Sequence, residues 1–226
     1  MDLILGLALA SLIGLLHFFG EEIDERFSSS HLLLASFSAG LTIAYFFLSM
    51  LPKISRASGV NEYEFLYALL GFSIFYLVEE FIYERDSHLD DIKKDFKELH
   101  SVFIASYHFA VGLVLYFLIE SSLSEAFLFF IPVVVHTAVN SLAIKEMHEE
   151  MLDKITVKLF ASFSAVLGVV VAHILEISQS VSYAFFGVIG GMFLYVVVHD
   201  ALSPERERPK GFILGALTFV ILVSVI

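Results

Sequence analysis

Three polar side chains stand in the middle of long apolar runs: His108 in ASYHFAVGLVLYFL, and His136 with Asn140 in FFIPVVVHTAVNSLAI. Imidazole and carboxamide groups offer neutral nitrogen and oxygen donors to a borderline metal such as zinc. Histidine also suits proton transfer, because its pKa of about 6.5 is readily moved by neighbours. His136 and Asn140 are four residues apart and so share one helix face. The plainer role for all three is hydrogen bonding between helices, which contributes about 0.6 kcal/mol per bond inside a membrane. Tyr107 and Thr137 are the nearest hydroxyls in sequence for that role. Ionisable groups deep in hydrocarbon are costly, and they usually mark a pathway, a relay or a binding site.

The segments that must position these residues are themselves greasy. Hydrophobic residues make up 58% of the 226-residue chain, and its mean hydropathy is +0.84. The apolar residues fall in runs near 2–20, 31–52, 63–83, 100–120, 124–145, 155–176, 181–202 and 210–226. Each approaches the roughly 20 residues that cross about 30 Å of hydrocarbon as a helix. The expectation is therefore a single domain, 1–226, of all-α polytopic membrane type with eight transmembrane helices. Gly and Ser inside the runs suit close helix packing in lipid. Barrel strands would be shorter and alternating. The first run begins Met1-Asp2 without a basic leader and meets Gly20-Glu21-Glu22 instead of a small-residue cleavage site, so it is expected to be retained.

Charge sets the expected orientation. The alternate loops 20–30, 84–99, 145–158 and 203–210 hold eleven basic residues, and the other set holds only Lys53 and Arg56. Basic loops face the cytoplasm, which puts both termini outside and the charged 84–99 loop inside. The absence of Cys excludes disulfides and thiolate metal sites, and a net charge of −12 argues against nucleic acid as a partner. A second polar group falls at the cytoplasmic mouth: His17 with Glu21 four residues on, His199 beside Asp200, and His31, His100 and His148 with Glu146 and Glu149. Interfacial solvation explains this group, as would a metal exit or sensing patch. ERDSHLDDIKKDFKELH (84–100) spaces Leu89, Ile92, Phe96 and Leu99 as one face of a surface helix. Glu79 and Glu80 close the third run near the inner interface, where solvation explains them as well as a site would. On the outer side His173 and Glu176, three apart, form a possible ligand pair.

An internal symmetry is also visible. Gly40-Leu-Thr-Ile-Ala-Tyr45 leads to Pro52, and Gly190-Gly-Met-Phe-Leu-Tyr195 leads to Pro204. Five spans apart, these segments cross in opposite senses, as in an inverted repeat of three spans around a central pair. Two similar greasy helices would look the same. The shared ASFSA at 35–39 and 161–165 links spans that would not be partners in such a repeat, and it is taken as coincidence.

SFSAGLTIAYFFLSMLPK (36–53) and FFGVIGGMFLYVVVHDALSPE (185–205) resemble the second and seventh spans of the ZIP family of divalent-metal transporters. The resemblance covers nearly the whole chain. It implies a three-two-three bundle with an inverted repeat, spans four and five at its centre, and transport of zinc, iron or manganese. The metal motifs depart from the family's pattern. Where its fourth span reads His-Asn-x-Pro-Glu/Asp-Gly, this chain has Tyr107-His108-Phe-Ala-Val111-Gly112. Where its fifth reads His-Glu-x-Pro-Glu/His-Gly, this chain keeps His136 but has Asn140, with Pro132 one turn early. Ala165 replaces the glutamate of the sixth span. One carboxylate about 4 Å from a cation contributes roughly 4 kcal/mol at an effective dielectric of 20, so losing two weakens a divalent site by orders of magnitude. The family's two-metal centre is therefore not expected.

The function expected is a divergent ZIP-like carrier of a divalent cation through a weakened site between spans four and five. His108, His136 and Asn140 would be its central ligands, and His17, Glu21, His199 and Asp200 would line the cytoplasmic mouth. A non-transporting relative with a binding or regulatory role, or a carrier of protons or another solute, fits the same losses. There is no His-Glu-x-x-His, Gly-x-Ser-x-Gly or phosphate loop, so an enzyme is not expected. The expected partners are the lipid bilayer of a prokaryotic plasma membrane, a transported Zn2+, Fe2+ or Mn2+ ion and, by the resemblance, a second copy of the chain.

Overall fold

The computed structural model of the chain describes residues 1–19, 31–57, 59, 63–86, 92–140, 154–175, 178–201 and 208–226. Among these, regular structure is helical throughout, in eight rods. The rods are α1 (Asp2–Phe18), then α2 (His31–Tyr45) running through a π turn (Phe46–Met50) into α3 (Leu51–Ala57), then α4 (Glu64–Asp86) and α5 (Ile92–Ser121). They continue with α6 (Leu123–Asn140), α7 (Lys154–Leu175), α8 (Gln179–Ala201) and α9 (Pro209–Val225). Among the described residues one stretch, Leu32–Arg56, is long and apolar enough to cross a membrane. Seven shorter apolar helices of 10–17 residues accompany it.

Two boundaries differ from the sequence expectation. The second run was expected to stop at Pro52, yet helix continues to Ala57. Proline lacks the N–H that would bond the carbonyl four residues back, and its ring crowds that carbonyl. The helix answers by widening just before the proline: the Leu51 N–H bonds the Phe46 carbonyl, five residues back. The second difference lies in the charged 84–100 segment. From Ile92 onward it is no separate surface helix but the first turns of α5. Ile92, Phe96, Leu99 and Phe103 keep one helical face in phase, and no Gly or Pro interrupts before Gly112. Residues 87–91 lie outside the described residues.

Burial separates a centre from a rim. On α5 only Ser106 is exposed between Ala105 and Ile119, and on α6 only Phe127 between Ala126 and Val139. A helix covered on all sides has neighbours all round. On α9, by contrast, Gly211, Gly215 and Phe219 are buried, while Ile213, Leu214, Leu217 and Ile221 are more than half exposed.

Three helix pairs form the tightest contacts: α2 with α9, α4 with α8, and α5 with α7. Each uses a reciprocal glycine contact. A Cβ on Gly40 would stand 2.0 Å from the Phe212 carbonyl oxygen, and one on Gly215 would stand 2.0 Å from that of Phe37. Gly71 faces the Val188 carbonyl at 1.9 Å and Gly191 faces that of Ala68 at 1.8 Å. Gly112 and Gly168 do the same against Ala165 and Phe109, at 2.0 and 2.1 Å. The Gly187-x3-Gly191 and Gly211-x3-Gly215 spacings are the local cause, since small residues four apart let two backbones meet. In each pair the contacts advance in the same direction on both helices, from Leu33 with Gly211 to Phe37 with Gly215 for example, so the paired helices run parallel.

Candidate functional site

The buried residues of α1 are Gly6, Ala10, Ile13, Gly14 and His17, one continuous helical face. Gly14 packs directly on the backbone of α7 at Ser162, which holds α1 close to the centre and turns His17 inward. His17 is 9% exposed and His108 is 5% exposed. Their ring centres are 4.8 Å apart, with the planes tilted by 52°. Sequence reasoning put His17 at the cytoplasmic mouth with Glu21 and His108 in the centre as a separate group. The fold joins the two histidines. The sequence signals only that His17 is turned inward, because it continues the small-residue face of its own helix.

Tyr107 lies edge-on to the His108 ring at 5.5 Å and to Phe75 of α4 at 6.2 Å. His136 is 7% exposed and has the Phe193 ring of α8 at 6.2 Å. Phe193 in turn meets Tyr45 of α2, whose ring also touches Phe129 and Phe219. His108 thus has a ring of α1 beside it, and His136 has a ring of α8 beside it. Of the remaining expected ligands, Asn140 is the last residue of α6, and His199 and Asp200 lie in the last turn of α8. The side chains of Asn140, His199 and Asp200 and the whole of Glu21 fall outside the described residues, as do His148, Glu146, Glu149, Glu176 and the side chains of His31, His100 and Glu79.

Among the described residues, no three His, Asp or Glu side chains gather as a metal-binding group. Of the described residues, His17 and His108 bring two imidazoles into ring contact. Zn–N bonds of about 2.0–2.1 Å at a tetrahedral angle put two ring centres about 5 Å apart. The separation of His17 and His108 matches that of two imidazoles sharing one ion. It equally suits two rings passing a proton.

A second polar region lies at the end of the bundle marked by the α5–α6 turn at Ser122. Lys53 of α3 forms an ion pair with Glu125 of α6 and stands 5.7 Å above the Phe186 ring of α8. This contact ties three rods together through one ammonium. The Tyr116 hydroxyl and His173 Nδ1 are hydrogen bonded at 2.7 Å, joining α5 to the end of α7. His173, expected as half of an entry pair, is thus held by a tyrosine.

No protein-family model matches the chain, and no curated protein matches it.

Proposed function

We propose that this chain is an eight-span membrane carrier, built on the plan of the ZIP transporters, for a divalent metal cation. In this reading His17, in the last turn of α1, and His108 of α5 are the paired donors, and His136 is a further one. The observation that carries it is the ring contact of two buried imidazoles from α1 and α5, at the spacing a shared ion needs. Support for the membrane setting comes from the apolar rim: Ile4, Leu69, Leu77, Ile174 and Ile221 are all at least 60% exposed, an arrangement suited to lipid and costly in water. In this reading the basic loops face the cytoplasm and both termini lie outside, in keeping with the positive-inside rule.

The three-plus-two-plus-three plan has its own support. An inverted repeat relates the second span to the seventh and the third to the eighth. It therefore turns the α2–α9 pair into the α8–α4 pair, and these two are parallel pairs joined by the same reciprocal glycine contact. The repeat is imperfect at the centre, where α5 packs tightly on α7 but α6 packs only lightly on α1.

Purified protein in vesicles should take up zinc, iron or manganese, and His108→Ala should abolish that uptake while leaving the protein folded. Equal uptake by the wild type and a His17→Ala/His108→Ala double variant would remove the pair from the mechanism. A second reading, proton transfer through the same pair, is favoured by the lack of a third donor and of any carboxylate beside it among the described residues. Acidification of vesicles without metal uptake, lost in His108→Ala, would select it.

A further inference from the structure

Glu64 is the first residue of α4, and it has no solvent-exposed surface. Neither of its carboxyl oxygens has a hydrogen-bond partner among the described residues. The niche it occupies exists because position 187 of α8 has no side chain. A Cβ on Gly187 would come within 3.0 Å of both the Glu64 carbonyl oxygen and its Oε2. The elements around the niche supply few charges. α3 brings Lys53, already paired with Glu125 of α6, and Arg56, which is exposed and bonded to the Pro52 carbonyl. From α8 the nearest titratable side chain in sequence is Tyr183, while Tyr63 just before α4 and Tyr67 within it lie nearby in sequence. α5 meets α4 well below, at Tyr107 and Phe75.

An ionised carboxylate here would be a buried charge with no counter-ion among the described residues, which is costly. Its place at a helix N-terminus returns only a small part of that cost. Desolvation outweighs the dipole, and a neutral acid avoids most of the cost. We infer that Glu64 is a proton-binding site at the Ser122 end of the bundle, carrying its proton while α4 and α8 are packed as they are here. Release of the proton would leave a bare charge in a seam where backbones touch, so proton occupancy and helix packing at this end are linked. The inference does not depend on what the imidazole pair carries.

Infrared difference spectroscopy of the full-length protein in lipid tests it. At neutral pH the wild type should show the carbonyl band of one protonated carboxyl, and Glu64→Gln should lose that band alone. Glu125→Gln should keep it. Reaction of wild-type protein with an apolar carbodiimide, located by peptide mass, provides a check that needs no variant: Glu64 should be modified, and less so as pH rises. Absence of the acid band in the wild type at neutral pH, or carbodiimide modification that spares Glu64, would overturn the assignment.

Discussion

The glycine seams and the imidazole pair are both places where helices touch, yet they are built on opposite terms. In the α2–α9, α4–α8 and α5–α7 seams, backbone meets backbone and nothing larger than a hydrogen fits. At His17 and His108 two large polar rings meet with a tilt between them, and aromatic edges of Tyr107 and Phe75 continue the layer. The seams have no slack, and packed interiors without slack resist displacement. The ring layer can turn side chains without moving a helix. Stability should therefore reside in the seams and binding in the rings, and substitutions in the two regions should separate these properties.

The largest effect is expected in the seams. Gly71→Val or Gly215→Val would drive a side chain into a carbonyl oxygen and separate the pair, lowering stability by about 2–3 kcal/mol or preventing folding. Thermal melting in detergent would show it. Gly6→Ala is the milder comparison, because the new methyl would meet side-chain atoms of Val169, Ile119 and Tyr116 and no backbone. If Gly71→Val melts like the wild type, the frame is not where this comparison puts it.

Next in size is the ring pair. His108→Ala and His17→Ala should each weaken zinc binding by about tenfold or more, equivalent to about 1.4 kcal/mol, with a smaller change in melting temperature than the seam variants. Because the chain has no cysteine, a His17→Cys/His108→Cys variant can be assayed cleanly with a short cross-linker, and near-complete joining of the two positions is expected.

A smaller effect should follow breaking the ion pair. Glu125→Gln should cost roughly 0.2–1 kcal/mol, since both partners keep some exposure to solvent. Lys53→Met removes the cation above Phe186 as well and should cost more. The smallest change is expected for His136→Ala on metal affinity, because its ring packs on Phe193 of α8, whereas the His17 and His108 rings pack on each other. If His136→Ala weakens zinc as much as His108→Ala, the binding centre lies between α5 and α6 after all.

Much of the helical layout was legible in the sequence because it follows from apolar runs of sufficient length. The limits of α4, α7, α8 and α9 fall within about two or three residues of the hydropathy segments, where helix-end assignments scatter anyway. The burial of the rods carrying His108 and His136 was implied by the polar groups themselves. The π turn before Pro52 was not legible, since proline ordinarily signals an end and only tertiary support lets a helix pass it. The partner of His108 required knowing that α1 lies against α5 and α7, a long-range fact that periodicity does not contain. Glu64 carries no sequence signal either: following Asn61-Glu62-Tyr63 at the edge of a run, it looks like an acidic residue facing water. Only the missing side chain at Gly187 explains how it is enclosed.

The joint action of the two imidazoles is tested most directly by zinc titration of four purified forms: wild type, His17→Ala, His108→Ala and the double variant. Two ligands of one ion give a strongly non-additive cycle, in which the second substitution costs little once the first has been made. Full and independent losses from each substitution, or binding unchanged in the double variant, would contradict the shared site.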